Sequence, residues 1–174
     1  AACCTATACT AEIRFKSGSA SGNNQERRDG AMNLKLHYDV PGDDFTRAGE
    51  ASGAVKRKLK QLGFPSDLVR RVAIAMYEGE INMVIHAGGG EADVEILPDR
   101  VVAVLTDHGP GIPDIEKAMQ EGWSTAPDNV RSLGFGAGMG LPNIKKYTDH
   151  MDITTEIGVG TVVRMEILAQ APAQ

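Results

Sequence analysis

Apolar and polar residues along the chain alternate with a period of two in several short segments, and each such segment predicts a β-strand. The segment LKLHYDV (34–40) alternates residue by residue, as the two faces of an amphipathic strand require. Later runs of the same kind predict two hairpins, the first closed by PDR. The predicted strands are 34–40, 92–97, 101–106, 151–157 and 160–168.

Apolar residues at helical spacing predict the remaining elements. A helix over 44–62 has acids at its front, bases near its end and Gly63 as its stop. A long helix over 67–86 has Ser66 as its candidate N-cap and leaves through the glycines 88–90. Two shorter helices are predicted, near 114–121 and over 141–149, the latter with Pro142 in its first turn. These elements predict an α+β two-layer sandwich, with a mixed, mainly antiparallel sheet covered on one face by helices.

Composition limits the class of protein. The chain has 174 residues, of which 42% are hydrophobic, and its formal net charge is −5. We therefore expect one compact domain that binds neither nucleic acid nor an anionic membrane. No apolar run approaches the roughly 20 residues that a membrane span needs. All three cysteines lie within residues 1–9, so the rest of the chain has no disulfide framework, as is usual in a reducing cytoplasm.

The first 31 residues differ from the rest. The segment AACCTATACTA (1–11) uses only alanine, cysteine and threonine, and SGSASGNNQ follows it without periodicity. This composition predicts a disordered or non-native leader over 1–31 and a folded domain over 32–174, with Met32 as a candidate natural start.

Three motifs carry candidate chemistry. Glu78 and Asn82 are four residues apart and share one face of the long helix, where a carboxylate can act as a base and an amide oxygen can bind Mg²⁺. A solvated surface pair is the alternative for this motif alone. Glu80 points roughly 200° away from Glu78 around the helix. His86 lies on the Asn82 face and is more typical of a packed or capping histidine than of a ligand.

The second motif is TDHGPGIPD (106–114). Asp107 stands at a strand end, where an acid can accept a hydrogen bond from an amino group. Gly109 and Gly111 beside it allow the backbone to approach a flat ligand closely. An ordinary Gly-Pro turn is the alternative.

The third motif is GFGAGMGLP (134–142), with glycines at every second position of its first seven. We call residues 134–140 the glycine loop. Its spacing does not match a dinucleotide-binding fingerprint, and it lacks the Gly-Lys-Ser/Thr of a Walker A loop. It runs directly into a predicted helix, which a flexible linker would not do. It therefore predicts a phosphate-binding loop at a helix N-terminus.

Together, E-x-x-x-N, D-x-G-x-G and G-x-G-x-G-L resemble the N, G1 and G2 boxes of the GHKL ATPases, over most of 34–168. The resemblance implies the Bergerat ATP-binding fold. Within that family, HAGGG, DHGPGIPDIEKAMQEGWST and GAGMGLPNIKKYTD are most similar to bacterial serine kinases and anti-sigma factors of partner-switching systems, and more to the RsbT-like branch than to the RsbW or SpoIIAB branch.

The resemblance also implies roles for single residues. Glu78 would be the general base, and Asn82 would bind Mg²⁺. Asp107 would hold the adenine amino group, with Gly109 and Gly111 shaping the base pocket. The nucleotide-binding residues implied in the later motifs are Gly136, Gly138, Gly140, Leu141 and Thr161. The segment 126–135 is longer than the family pattern, which leaves open whether Arg131 reaches a phosphate or faces solvent.

The implied activity is a cytoplasmic serine/threonine kinase that uses ATP and Mg²⁺ and phosphorylates a STAS-domain partner. The alternative is a non-catalytic module that uses ATP only to hold a sigma factor. Glu78 favours catalysis, because sequestration alone does not need a base. A homodimer is an expectation from the resemblance.

Overall fold

Five strands form a single sheet in the computed structural model, which describes residues 33–42, 45–132 and 135–169. The predicted leader over 1–31 lies outside the described residues. The sheet order is β1-β2-β3-β5-β4, and all four strand pairings are antiparallel. The predicted parallel contribution to the sheet is not found among these pairings. The strands are β1 (Leu34–Pro41), β2 (Gly89–Ile96), β3 (Arg100–Asp107), β4 (His150–Glu156) and β5 (Gly160–Leu168).

The helices form the second layer, so the α+β two-layer sandwich is confirmed. The long helix α2 packs against α1, against α5 and against the sheet. None of the helices in the described ranges is long and apolar enough to cross a membrane. A 3₁₀ turn spans Phe45–Arg47, and the α-helices are α1 (Glu50–Gln61), α2 (Ser66–Ala87), α3 (Ile115–Ala118), α4 (Asp128–Ser132) and α5 (Gly140–Tyr147).

The core lies between α2 and the sheet. Every second residue of the central strands faces the helices and is buried, for example Val101, Ala103 and Leu105 in β3. Gly79 lets α2 approach this face closely, because a Cβ atom there would lie 2.0 Å from Cδ1 of Leu105. The neighbouring Glu78 is thus carried by a helix whose position is fixed by the core.

The predicted helix over 44–62 is wrong at its start. Gly49 has φ of 99°, a left-handed conformation that interrupts the helix, so α1 begins only at Glu50. The carboxylate of Glu80, which is 1% exposed, caps this start from α2. It accepts the backbone N–H of Gly49 at 2.9 Å, of Ala51 at 3.2 Å and of Ser52 at 2.6 Å.

Two smaller predictions also differ from the structure. The N-cap of α2 is Pro65, and Ser66 is the first helical residue, because the fixed φ of proline suits the position where the chain enters a helix. Between β3 and α5 the sequence predicts one short helix, near 114–121. The structure has α3 there and also α4, whose Val130 is buried.

An arginine on α2 joins the C-terminal ends of α5 and β5. Arg71 on α2 donates to the carbonyl oxygens of Tyr147 at 3.3 Å and Leu168 at 3.4 Å, and to Oδ2 of Asp149 at 2.6 Å. Asp149 also accepts the N–H of Leu168. One side chain therefore joins α2 to the end of α5 and to the end of β5.

Candidate active site

One face of α2 opens into a cavity of about 450 Å³, a volume within the range of small-molecule sites. Glu78, Asn82 and His86 follow one another along this face at intervals of four residues, and all three line the cavity. Glu80 points the other way, into the cap of α1, as its angle on the helix predicts. The surface-pair alternative for Glu78 and Asn82 does not hold, since both side chains are partly buried.

Asp107 ends β3 and lines the same cavity. Its Oδ1 accepts the backbone N–H of Gly109 at 2.9 Å and of Thr161 at 3.1 Å. These two bonds fix the carboxylate plane. They also leave Oδ2 without a hydrogen bond from another described residue, so it can accept one from a ligand.

The glycines after Asp107 are required by close contacts. A Cβ on Gly109 would lie 2.5 Å from Cβ of Ala87, and one on Gly111, whose φ is 77°, would lie 2.6 Å from the carbonyl oxygen of Glu156. Thr161 on β5 is buried, and its hydroxyl lies 3.1 Å from that of Thr155. The second motif and Thr161 thus meet at the wall of the cavity.

Residues 135–140 of the glycine loop line the cavity, and the three glycines among them are required for different structural reasons. Gly136 and Gly138 have φ of 71° and 74°, which favour glycine. Gly122 donates its N–H to the carbonyl oxygen of Gly138 at 3.0 Å. Gly140 starts α5, and a Cβ there would lie 2.7 Å from Oδ1 of Asn82.

Leu141 follows in the first turn of α5 and lines the cavity. Gly134, which the sequence places in the same loop, lies outside the described residues. The described part of the loop therefore brings together the positions expected to contact phosphates.

The segment just before the glycine loop is held by hydrogen bonds within itself. Arg131 of α4 donates from Nη2 to the carbonyl oxygen of Ser124 at 2.7 Å, and Ser124 Oγ accepts the N–H of Ala126. A Cβ on Gly136 would lie 2.3 Å from Cβ of Ala126. Arg131 therefore holds the segment before the glycine loop and does not line the cavity.

The acidic side chains that line the cavity are Glu78 and Asp107. Its described lining includes no lysine or arginine. His86 is an exposed residue, yet desolvation by the protein around its ring lowers the pKa of its imidazole, against the opposing charge of Asp107. The N-terminus of α5 directs its N–H groups and positive dipole end at the glycine loop, which suits an anionic phosphate chain.

The side chains at the cavity suit Mg²⁺ only if phosphate oxygens complete its coordination. No group of three or more His, Cys, Asp or Glu side chains among the described residues could hold a metal ion. Asn82 offers one amide oxygen, and Mg²⁺ usually takes one or two protein ligands and completes its shell with phosphates and water. The residues present therefore fit a metal that arrives with a nucleotide.

Sequence reasoning missed one polar contact in the site. Asn143, in the first turn of α5, donates from Nδ2 to Oε1 of Glu78 at 2.8 Å. Asn143 lies three residues after Gly140, but nothing local in the sequence connects it to a residue 65 positions earlier.

Comparison with known proteins agrees with this geometry. The family model described as histidine kinase-like ATPase domain matches residues 43–167. The serine/threonine-protein kinase RsbT of Bacillus subtilis is 34% identical over 109 residues, which are 60% of this chain and 76% of RsbT. An anti-sigma F factor of Clostridium botulinum is 31% identical over 141 residues, 78% of this chain and 92% of the relative.

A solved structure supports the fold. The crystal structure of the RsbU and RsbW domains of a Mycobacterium tuberculosis protein matches with a TM-score of 0.54 at 15% identity. The match covers 79% of this chain and 33% of that longer chain. The chain belongs to the histidine kinase-like ATPase family, in the branch that includes RsbT and the anti-sigma F factors.

Proposed function

We propose that this protein is an ATP-dependent serine/threonine protein kinase of a bacterial partner-switching system, acting in the cytoplasm on a STAS-domain protein. The observation that carries the proposal is the placement of Glu78 and Asn82 one helical turn apart on the wall of the cavity that Asp107 also lines. Similarity to RsbT, a serine/threonine-protein kinase by name, supports the class of reaction.

Binding of the nucleotide follows from groups already described. Oδ2 of Asp107 accepts a hydrogen bond from the adenine amino group, because Oδ1 is held by Gly109 and Thr161. Gly136, Gly138 and the start of α5 offer backbone N–H groups to the phosphates. Asn82 provides an amide oxygen for Mg²⁺. When bound, ATP supplies the phosphoryl group and Mg²⁺ neutralises its charge.

Glu78 supplies the base. Its carboxylate accepts the proton of the partner's hydroxyl while that oxygen bonds to the terminal phosphorus and the bond to ADP breaks. Most of the acceleration in phosphoryl transfer comes from positioning and charge neutralisation. The base acts on the partner's hydroxyl and not on the nucleotide, so we expect nucleotide binding not to depend on it.

A second candidate function is sequestration of a sigma factor. The similarity to anti-sigma F factors favours it, and it is compatible with ATP binding at the same cavity. Sequestration needs the nucleotide site but no base, so Glu78 distinguishes the two functions.

The test is transfer of phosphate from radiolabelled ATP to a candidate STAS-domain protein. Glu78→Ala is expected to keep nucleotide affinity and to lose about 10²–10⁴-fold in rate, the usual contribution of general acid–base catalysis. Glu91→Ala, an exposed glutamate of β2, is the matched control and should transfer at the wild-type rate.

Equal rates for wild type and Glu78→Ala would remove Glu78 from the mechanism. If the wild type transfers no phosphate but binds a sigma factor in an ATP-dependent way, the kinase proposal fails and the sequestering function replaces it.

A further inference from the structure

The amide of Asn143 touches the proposed base directly. Its Nδ2 lies 2.8 Å from Oε1 of Glu78, and both side chains are partly buried. A carboxylate can only accept hydrogen bonds, so the nitrogen of the amide, which carries two donors, must face it. This contact joins α5 to α2 at the site and is not explained by nucleotide binding.

We infer that Asn143 is a positioning residue for Glu78, an inference that rests on the proposed kinase function. A glutamate on the wall of an open cavity can adopt several rotamers. The bond from Asn143 selects one of them through Oε1. It leaves Oε2 without a hydrogen bond from another described residue, so that oxygen can take the proton of the incoming hydroxyl.

The position of Asn143 also connects the base to the glycine loop. Gly140 ends that loop and starts α5, where it lies against the amide of Asn82. Asn143 lies three residues further along the same helix and holds Glu78, which is four residues before Asn82 on α2. The first turn of α5 thus contacts both the proposed base and the proposed metal ligand. Correct placement of α5 aligns the two together.

A purely structural role is the competing explanation, since a bond between two helices also stabilises packing. The two roles differ in what removal of Glu78 does. A positioning residue acts only through Glu78, so its loss has no further effect on rate once Glu78 is absent. A structural residue lowers the rate in both backgrounds.

The experiment is a double-mutant cycle in the phosphotransfer assay with the STAS-domain partner. It compares wild type, Asn143→Ala, Glu78→Ala and the double variant, and it records kcat, the KM for ATP and the melting temperature. Lys145→Ala, exposed on the same helix, is the matched control. Asn143→Asp is an isosteric second variant that replaces the donor with an acceptor.

We expect Asn143→Ala to lower kcat by about 10–100-fold, the scale of a misplaced catalytic group, with the KM for ATP changed by less than about threefold. Asn143→Asp should be at least as slow, because it sets a second carboxylate against Glu78. In the Glu78→Ala background, loss of Asn143 should change kcat by less than about twofold.

Two results would overturn the inference alone: a wild-type kcat for Asn143→Ala, or an equal loss in both backgrounds. A wild type that transfers no phosphate would instead overturn the proposed function, and this inference with it.

Discussion

The cap that Glu80 places on α1 gives a sharp test of what holds this fold together. Glu80→Ala removes a carboxylate that accepts backbone N–H groups of Gly49, Ala51 and Ser52. The side chain is 1% exposed, and no side chain of the N-cap residue itself caps α1. Its loss leaves the helix start without a protein acceptor for these groups.

The magnitude follows from the three bonds. A hydrogen bond to a charged group contributes about 1.5–3 kcal/mol, but the three share one carboxylate, and Gly49 is accessible enough for water to replace one of them. We therefore expect a loss of about 3–5 kcal/mol in the free energy of unfolding, against the roughly 5–15 kcal/mol typical of a domain. For a domain of this size, that lowers the melting temperature by roughly 6–20 °C.

The assay is urea unfolding followed by circular dichroism, with Glu80→Gln as a conservative variant and Glu50→Ala as the control. Glu80→Gln keeps one acceptor oxygen and should lose less than Glu80→Ala. Glu50 belongs to the same helix end, but its contact with Arg47 is exposed, so its removal should cost less than about 1 kcal/mol. A cost for Glu80→Ala as small as that of Glu50→Ala would refute the cap as a source of stability.

Three further predictions concern the nucleotide site and the contact between Asp149 and Arg71. Asp107→Asn should weaken ATP binding about 10–100-fold by calorimetry, because the bonds that hold Oδ1 force the new NH₂ group toward the adenine amino group; unchanged affinity would exclude Asp107 from the site. Gly140→Ala should melt close to the wild type but lose Mg²⁺-dependent ATP affinity, since the new methyl group displaces the Asn82 amide; full affinity would contradict this contact. Burial alone would raise the pKa of Asp149, but the N–H of its β5 partner and the guanidinium of Arg71 outweigh it and lower the pKa. The ionised carboxylate thus stabilises the fold above its unfolded pKa, and this is lost as the pH falls through the lower, folded value. Asp149→Asn should therefore lower the free energy of unfolding by about 1 kcal/mol at neutral pH. This difference from the wild type should shrink below about pH 4. A difference that persists in acid would refute the stabilising role of the ionised Asp149 carboxylate.

Local patterns in the sequence predicted most of the elements and the three motifs that line the cavity. The alternation in 34–40 and the helical spacing of apolar residues in α2 involve residues only a few positions apart, so the sequence alone predicts these elements. The motifs around Glu78, Asp107 and Gly138 were each noticed from their residue types and spacing, and their roles come from the resemblance of the three together to a known family. The structure then brings all of them to one cavity.

Contacts between distant residues could not be predicted. The break at Gly49 depends on Glu80, which lies 31 positions away, and a lone glycine inside a helical pattern does not reveal a left-handed turn. The bond from Asn143 to Glu78 spans 65 positions and requires α5 to lie along α2. Both features depend on contacts between residues that are distant in the sequence, and local sequence patterns do not predict such contacts.

The two glutamates of α2 bear on the choice between the proposed kinase and the sequestering module. Glu80 faces α1 and caps it, whereas Glu78 faces the cavity, where it is the proposed base. A module that only sequesters a partner needs Asp107, Asn82 and the glycine loop to bind ATP. Such a module needs no carboxylate at the position of Glu78, and so it needs no amide at the position of Asn143 to orient that carboxylate. In the proposed kinase the bond from Asn143 to Glu78 positions the base, whereas in a sequestering module it would only join two helices.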